Sequence, residues 1–94
     1  MMTDAYSREH QQRVATLLEA VASGKLSAKD ALALTIDWAD IPWEKKIFSA
    51  AYHALQHFDA DEDIRSGDSD YAVSQIESLK ILSQKILKAS KRDD

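Results

Sequence analysis

Two histidines and an aspartate have the spacing in this chain that is closest to that of a metal site. His53 and His57 are four residues apart and Asp61 follows four residues later, so all three would share one helical face. Imidazole and carboxylate groups at this spacing are ligands for zinc or a similar divalent ion. Because the glutamates of a metalloprotease or di-metal motif are missing, we favour two partly exposed histidines and keep metal binding as the alternative.

The acidic segment, residues 59–70, is the most charged part of the chain. It has six acidic residues against Arg65, a net charge of −5, whereas the whole chain, with 12 basic and 16 acidic residues, has −4. Asp59, Asp61 and Asp63 match the first, third and fifth positions of a calcium-binding loop. Ile64 stands where that loop needs glycine for its sharp turn, so we do not predict a calcium site.

The residue types that nucleophilic catalysis requires are missing. The chain has no cysteine, no glycine-flanked serine and no glycine-rich loop for phosphate. We therefore expect neither an enzyme nor a cofactor, and the negative net charge argues against direct binding of nucleic acid. The first residues do not resemble a secretory signal and no apolar run reaches the length of a membrane span, so we expect a cytoplasmic protein.

The elements that must position these residues are helices. With 94 residues, 45% of them hydrophobic, two glycines and one proline, the chain is expected to form a single domain, residues 1–94. Apolar periodicity predicts helices over about 4–23, 28–40, 42–58 and 70–90. Gly24 would end the first helix and Ser27 would cap the second, which should be the most enclosed because it is apolar over much of its circumference. Pro42 would begin the third helix.

These elements predict an all-α fold, a compact antiparallel four-helix bundle with an acidic connector at residues 59–69. A turn of helix around Glu62-Asp63-Ile64 is compatible with that connector. Helix caps would account for about half of the acids, since each helix start uses one or two. The others favour recognition of a basic protein, and Phe58, Tyr71 and Trp43 are aromatic candidates beside them. The predicted partner-binding residues are Asp59, Asp61, Glu62, Asp63, Asp68, Asp70 and Tyr71.

The order of these features resembles a known family. The features are, in chain order, Leu17-Leu18, the turn Ser-Gly-Lys-Leu-Ser-Ala at residues 23–28, an aromatic-bearing helix, Asp-Ala-Asp-Glu-Asp at 59–63 and a last helix of Leu and Ile. Over about residues 14–87, the chain resembles the small bacterial immunity proteins of the colicin D type. The resemblance implies a helical bundle whose acidic surface covers the basic transfer-RNA site of a toxin nuclease. The six acids would then take the place of nucleic-acid phosphates.

Two other interpretations of the sequence stay open. One is a metal-binding bundle built on His53, His57 and Asp61. The other is a homodimer in which the second or third helix packs against a twin, with Trp38 or Trp43 at the seam.

Overall fold

The computed structural model of the chain describes the backbone of residues 2–91 and the side chains of residues 8–88. Its described residues form five helices and no strand: α1 (Met2–Ala22), α2 (Ala28–Asp37), α3 (Lys46–Ala60), α4 (Glu62–Gly67) and α5 (Ser69–Lys91). The predicted all-α class is thus confirmed, with five helices where the sequence predicted four. In this part of the chain, no helix combines the length and the apolar character needed to cross a membrane.

The turn between α1 and α2 forms as its residues predict. Gly24 has a φ of 81°, a left-handed conformation that costs glycine little. Its amide donates to the Val21 carbonyl over 3.1 Å, and the Lys25 amide donates to the Ala20 carbonyl over 2.9 Å, so two free carbonyls of α1 are satisfied. Three residues later, the Ser27 hydroxyl accepts from the Asp30 amide over 3.0 Å and caps α2. Both predicted caps are confirmed.

The region between α2 and α3 differs from the prediction. Helix α2 ends at Asp37 rather than near residue 40, and α3 begins at Lys46 rather than at Pro42. The intervening residues 38–45 form successive turns, in which the Trp38 carbonyl accepts from the Ile41 amide and from the Trp43 indole, each over 3.1 Å. Ile41 is buried with 2% of its surface exposed. The burial of Ile41, together with these local hydrogen bonds, holds residues 38–45 in turns, where local propensity alone favoured helix.

The acidic connector contains a helix of its own. Helix α3 continues past the predicted end at residue 58 to Ala60, and the six residues of α4 follow after Asp61. Glu62 and Asp63 lie in the first turn of α4, where carboxylates interact favourably with the helix dipole. Helix α4 is therefore longer than the single turn that was expected, and few residues of the acidic segment lie outside helices.

The buried side chains form a cluster to which four of the helices contribute. Helices α1 and α5 have the most extensive contact, and α2 packs mainly on α3. At the α1–α5 contact the buried Ser83 hydroxyl donates to the Ala15 carbonyl over 2.8 Å, and both small side chains let the helices approach closely. The largest apolar side chains with less than 2% exposure are those of Phe48, Leu18, Leu55, Ile86 and Val14.

The expectation that α2 would be the most enclosed helix is wrong. Its buried residues are Ala28, Ala31 and Thr35, whereas Ile36 is 76% exposed. Apolar residues occur over more of the α2 circumference than the neighbouring helices cover. Some of its apolar surface therefore faces solvent.

Candidate functional site

The acidic segment lies where α3, α4 and α5 meet. Asp59 is in the last turn of α3, Asp61 separates α3 from α4, and Asp68 separates α4 from α5. Helix α4 packs on both of its neighbours, chiefly on α5. The segment is thus held against two longer helices, and its carboxylates differ in what they contact.

Asp61 points towards α5. Its Oδ2 accepts from the Tyr71 hydroxyl over 2.7 Å and from Nε2 of Gln75 over 3.0 Å. The hydrogen bond to this carboxylate, together with burial, raises the pKa of the Tyr71 hydroxyl above its ordinary value. Asp61 and Tyr71, both predicted to bind a partner, are therefore hydrogen-bonded to each other, and both are partly buried.

Asp68 is the cap of α5. Its Oδ1 accepts from the Tyr71 amide over 3.1 Å, which satisfies one of the free amides at the start of that helix. The sequence predicted that about half of the acids would cap helices, and Asp68 is one that does; its predicted contact with a partner stays a prediction.

Arg65 is the one basic residue of the acidic segment, and its side chain turns inward. Nη1 donates to the Phe58 carbonyl and, over 2.8 Å, to Oε1 of Gln75. The guanidinium lies over the Phe58 ring at 3.5 Å from its centroid, a cation–π geometry. Gln75 thus bridges Arg65 and Asp61, and the positive charge of the segment is used within the protein.

The other four acids of the segment are Asp59, Glu62, Asp63 and Asp70. Their carboxylates have no hydrogen bond or ion pair to any residue within the described part of the chain. Three of these side chains are exposed and that of Asp59 is partly buried. Asp59 and Glu62 also line a groove of about 590 Å³ beside the α1–α2 turn, together with Lys29 and Arg65.

The histidine pair does not assemble into a metal site with Asp61. His53 and His57 are both exposed, and Nδ1 of His53 lies 3.5 Å from the Ser49 hydroxyl. The Asp61 carboxylate is occupied by Tyr71 and Gln75. Across the described residues, no three His, Asp or Glu side chains are grouped so that they could hold a metal ion.

A second polar cluster, which the sequence did not indicate, joins α1 to the turns at 38–45. Nη1 of Arg13 donates to Oδ2 of Asp40 over 2.9 Å, and Nε2 of the buried His10 lies 3.5 Å from the same oxygen. The Arg13 hydrogen bond holds the pKa of Asp40 below its usual value. The Arg13 guanidinium also lies over the Trp38 ring, 4.6 Å from its centroid. No local spacing links residues that are so far apart in sequence.

The bond between Asp61 and Tyr71 gives a testable shift in a pKa. Replacing Asp61 by asparagine is expected to lower the pKa of Tyr71 towards its ordinary value of 10.0, because the amide lacks the charge that retains the phenol proton. A pKa raised by folding means that this bond stabilises the fold below the pKa of the unfolded chain. That contribution is lost as the pH rises through the pKa of Tyr71 in the folded protein.

Ultraviolet absorbance of phenolate measures the Tyr71 transition, and a Tyr71→Phe variant assigns it. An unchanged Tyr71 transition in the asparagine variant would contradict the assignment.

Comparisons with protein-family models, with curated proteins and with solved structures found no match to this chain.

Proposed function

We propose that this protein is an acidic binding module that neutralises a basic protein partner, a toxin nuclease, by covering the nuclease active site. It acts by stoichiometric binding in the cytoplasm, without catalysis or a cofactor. Its four longer helices form an antiparallel bundle that presents the acidic segment. The proposal starts from the charge pattern and from the resemblance to immunity proteins of the colicin D type.

The observation that carries the proposal is the division of charge within the acidic segment. Asp59, Glu62, Asp63 and Asp70 have no described partner, while the opposing Arg65 is engaged with Phe58 and Gln75. Solvent and salt screen the repulsion among these acids over about 8 Å, and a basic surface would relieve it. Complementary charge also accelerates encounter between two proteins.

Internal hydrogen bonds support a smaller set of contact residues within this proposal. Asp61, Tyr71 and Asp68 have internal hydrogen bonds and keep the segment in shape. Contact with the partner is then made by the four acids without a described partner. Phe58 holds the Arg65 guanidinium, which lies over its ring. Each charge pair that is desolvated on docking would contribute to specificity.

Charge reversal tests the proposal. The binding partner is first captured from an extract of the host organism on this protein, immobilised on a resin. The captured partner is then assayed for cleavage of transfer RNA. We expect equimolar protein to abolish cleavage. A Glu62→Lys/Asp63→Lys variant should associate at least about tenfold more slowly at low ionic strength, with a flatter salt dependence. Its melting temperature should fall only slightly: both side chains are exposed, and the change removes their favourable interaction with the α4 dipole.

The matched control is a Glu19→Lys/Glu77→Lys variant. It has the same change in net charge, but its two exposed acids lie on α1 and α5, outside the acidic segment. Recovery of a partner without a basic surface would contradict the proposal. So would equal slowing by the two double variants, because net charge would then explain the effect.

A further inference from the structure

A groove lined by aromatic and aliphatic side chains lies between α2 and the start of α3. It has a volume of about 450 Å³, and we call it the aromatic groove. Trp43 and Tyr52 line it with their ring centroids 6.1 Å apart, and both side chains are partly buried. The exposed Ile36 and the buried Ile41 add aliphatic surface. Its lining therefore combines two aromatic rings with aliphatic side chains.

The charge of the aromatic groove comes from Glu44. This carboxylate is exposed and has no hydrogen bond or ion pair with any residue that the structure describes. Lys45 and Lys46 follow it in the chain, but neither lines the groove. An apolar groove with one unpaired carboxylate is complementary to a ligand that has an apolar stem and a cationic end.

Two other aromatic rings of the same protein are covered by its own guanidinium groups. Arg13 lies 4.6 Å from the Trp38 ring centroid and also pairs with Asp40. Arg65 lies 3.5 Å from the centroid of Phe58. For the Trp43–Tyr52 pair, no cation over either ring is found among the described side chains. The groove thus contains aromatic rings and a carboxylate, the two kinds of group that contact Arg13, and no arginine lines it.

We propose that the aromatic groove binds an arginine side chain of a protein partner. The guanidinium lies over Trp43 or Tyr52 and pairs with Glu44, while the methylene stem contacts Ile36. Arginine fits better than lysine, because its planar group stacks on aromatic rings and is more weakly hydrated. The inference rests on the proposed function for the basic character of the partner. It uses a surface near the other end of α3 from the acidic segment.

Magnetic resonance spectroscopy with a small probe tests this site without the partner. Nα-acetyl-arginine amide, which has one guanidinium and no other charge, is titrated into the whole protein up to millimolar concentration. Its neutral analogue, Nα-acetyl-citrulline amide, is titrated separately. We expect the arginine probe to shift the Trp43 indole N–H and the Glu44 and Tyr52 amides with a common saturation curve. The citrulline probe should leave them in place.

A Glu44→Gln variant should bind the arginine probe about threefold more weakly, as expected for loss of one exposed ion pair. Glu19→Gln, on α1, is the matched control and should bind normally; circular dichroism checks that both are folded. Equal responses to arginine and citrulline, or unchanged binding by Glu44→Gln, would overturn the inference.

The acidic segment is tested separately. In the Glu62→Lys/Asp63→Lys variant we expect the response of the aromatic groove to persist. If that response disappears, the arginine probe was reporting the acidic segment, and the groove is not the site. Conversely, if the charge-reversed variant inhibits the nuclease as well as the unmodified protein does, the proposed function is contradicted. The result of the arginine titration would still stand for the aromatic groove.

Discussion

Replacing Phe48 by alanine is expected to lower the free energy of unfolding by about 3–5 kcal/mol. Phe48 is 1% exposed, and its ring centroid lies 6.2 Å from those of both His10 and Trp43, in edge-on geometry. Truncation removes these contacts and leaves a cavity between α1, α3 and the turns at 38–45. Since a domain of this size has a free energy of unfolding of about 5–15 kcal/mol, the variant would lose a large fraction of its stability.

Urea denaturation followed by circular dichroism measures this loss. Phe48→Leu is the control, because a larger apolar side chain fills more of the same space and should cost markedly less. A loss below about 1 kcal/mol for the alanine variant would show that the site collapses around the cavity. Phe48 would then not be central to the core.

Replacing Arg65 by alanine is expected to destabilise the protein by about 2 kcal/mol, mainly through α4. The change removes the hydrogen bonds to the Phe58 carbonyl and to Gln75, together with the cation–π contact with Phe58. It also makes the acidic segment more negative by one charge. With its link to α3 and α5 gone, α4 should open locally more often than the rest of the fold.

Amide hydrogen exchange distinguishes this local opening from a global loss of stability. We expect the amides of α4 to exchange faster in the Arg65→Ala variant than can be explained by its urea stability. Lys80→Ala is the matched control: this exposed cation on α5 has no described partner, and its removal should change stability by less than about 0.5 kcal/mol. Unchanged exchange in α4 would contradict the role assigned to Arg65.

The features that sequence predicted well depend on nearby residues. Gly24 ends α1 because it tolerates a φ of 81°, and Ser27 caps α2 through an amide three residues away. Asp68 caps α5 in the same way. These interactions are complete within one turn of the chain, so residue type and spacing suffice to predict them.

The features that sequence missed depend on distant contacts. Pro42 would suit a helix start, yet α3 begins at Lys46, because burial of Ile41 in the core cluster holds residues 38–45 in turns. The exposure of Ile36 depends on how much of α2 the neighbouring helices cover. Helical periodicity identifies an apolar face, but it does not say which part of that face finds a partner.

The sequence predicted where the candidate site lies, but not which of its carboxylates have internal hydrogen bonds. Charge density alone identified residues 59–70. Which carboxylates stay available depends on Gln75, a neutral residue on α5 that bonds to both Asp61 and Arg65. Its spacing of four from Tyr71 was the one local signal that could have associated it with the segment.

The hydroxyl bond between Ser83 and Ala15 spans 68 positions of the chain, so the first and last helices depend on each other. During synthesis α1 leaves the ribosome several seconds before α5, at about 5–20 residues per second. Through that interval Val14 and Leu18, buried in the finished molecule, lack the helix that covers much of α1. A nascent chain that stops short of α5 is therefore left with an open core, and these side chains are covered only after α5 has been synthesised and has left the ribosome.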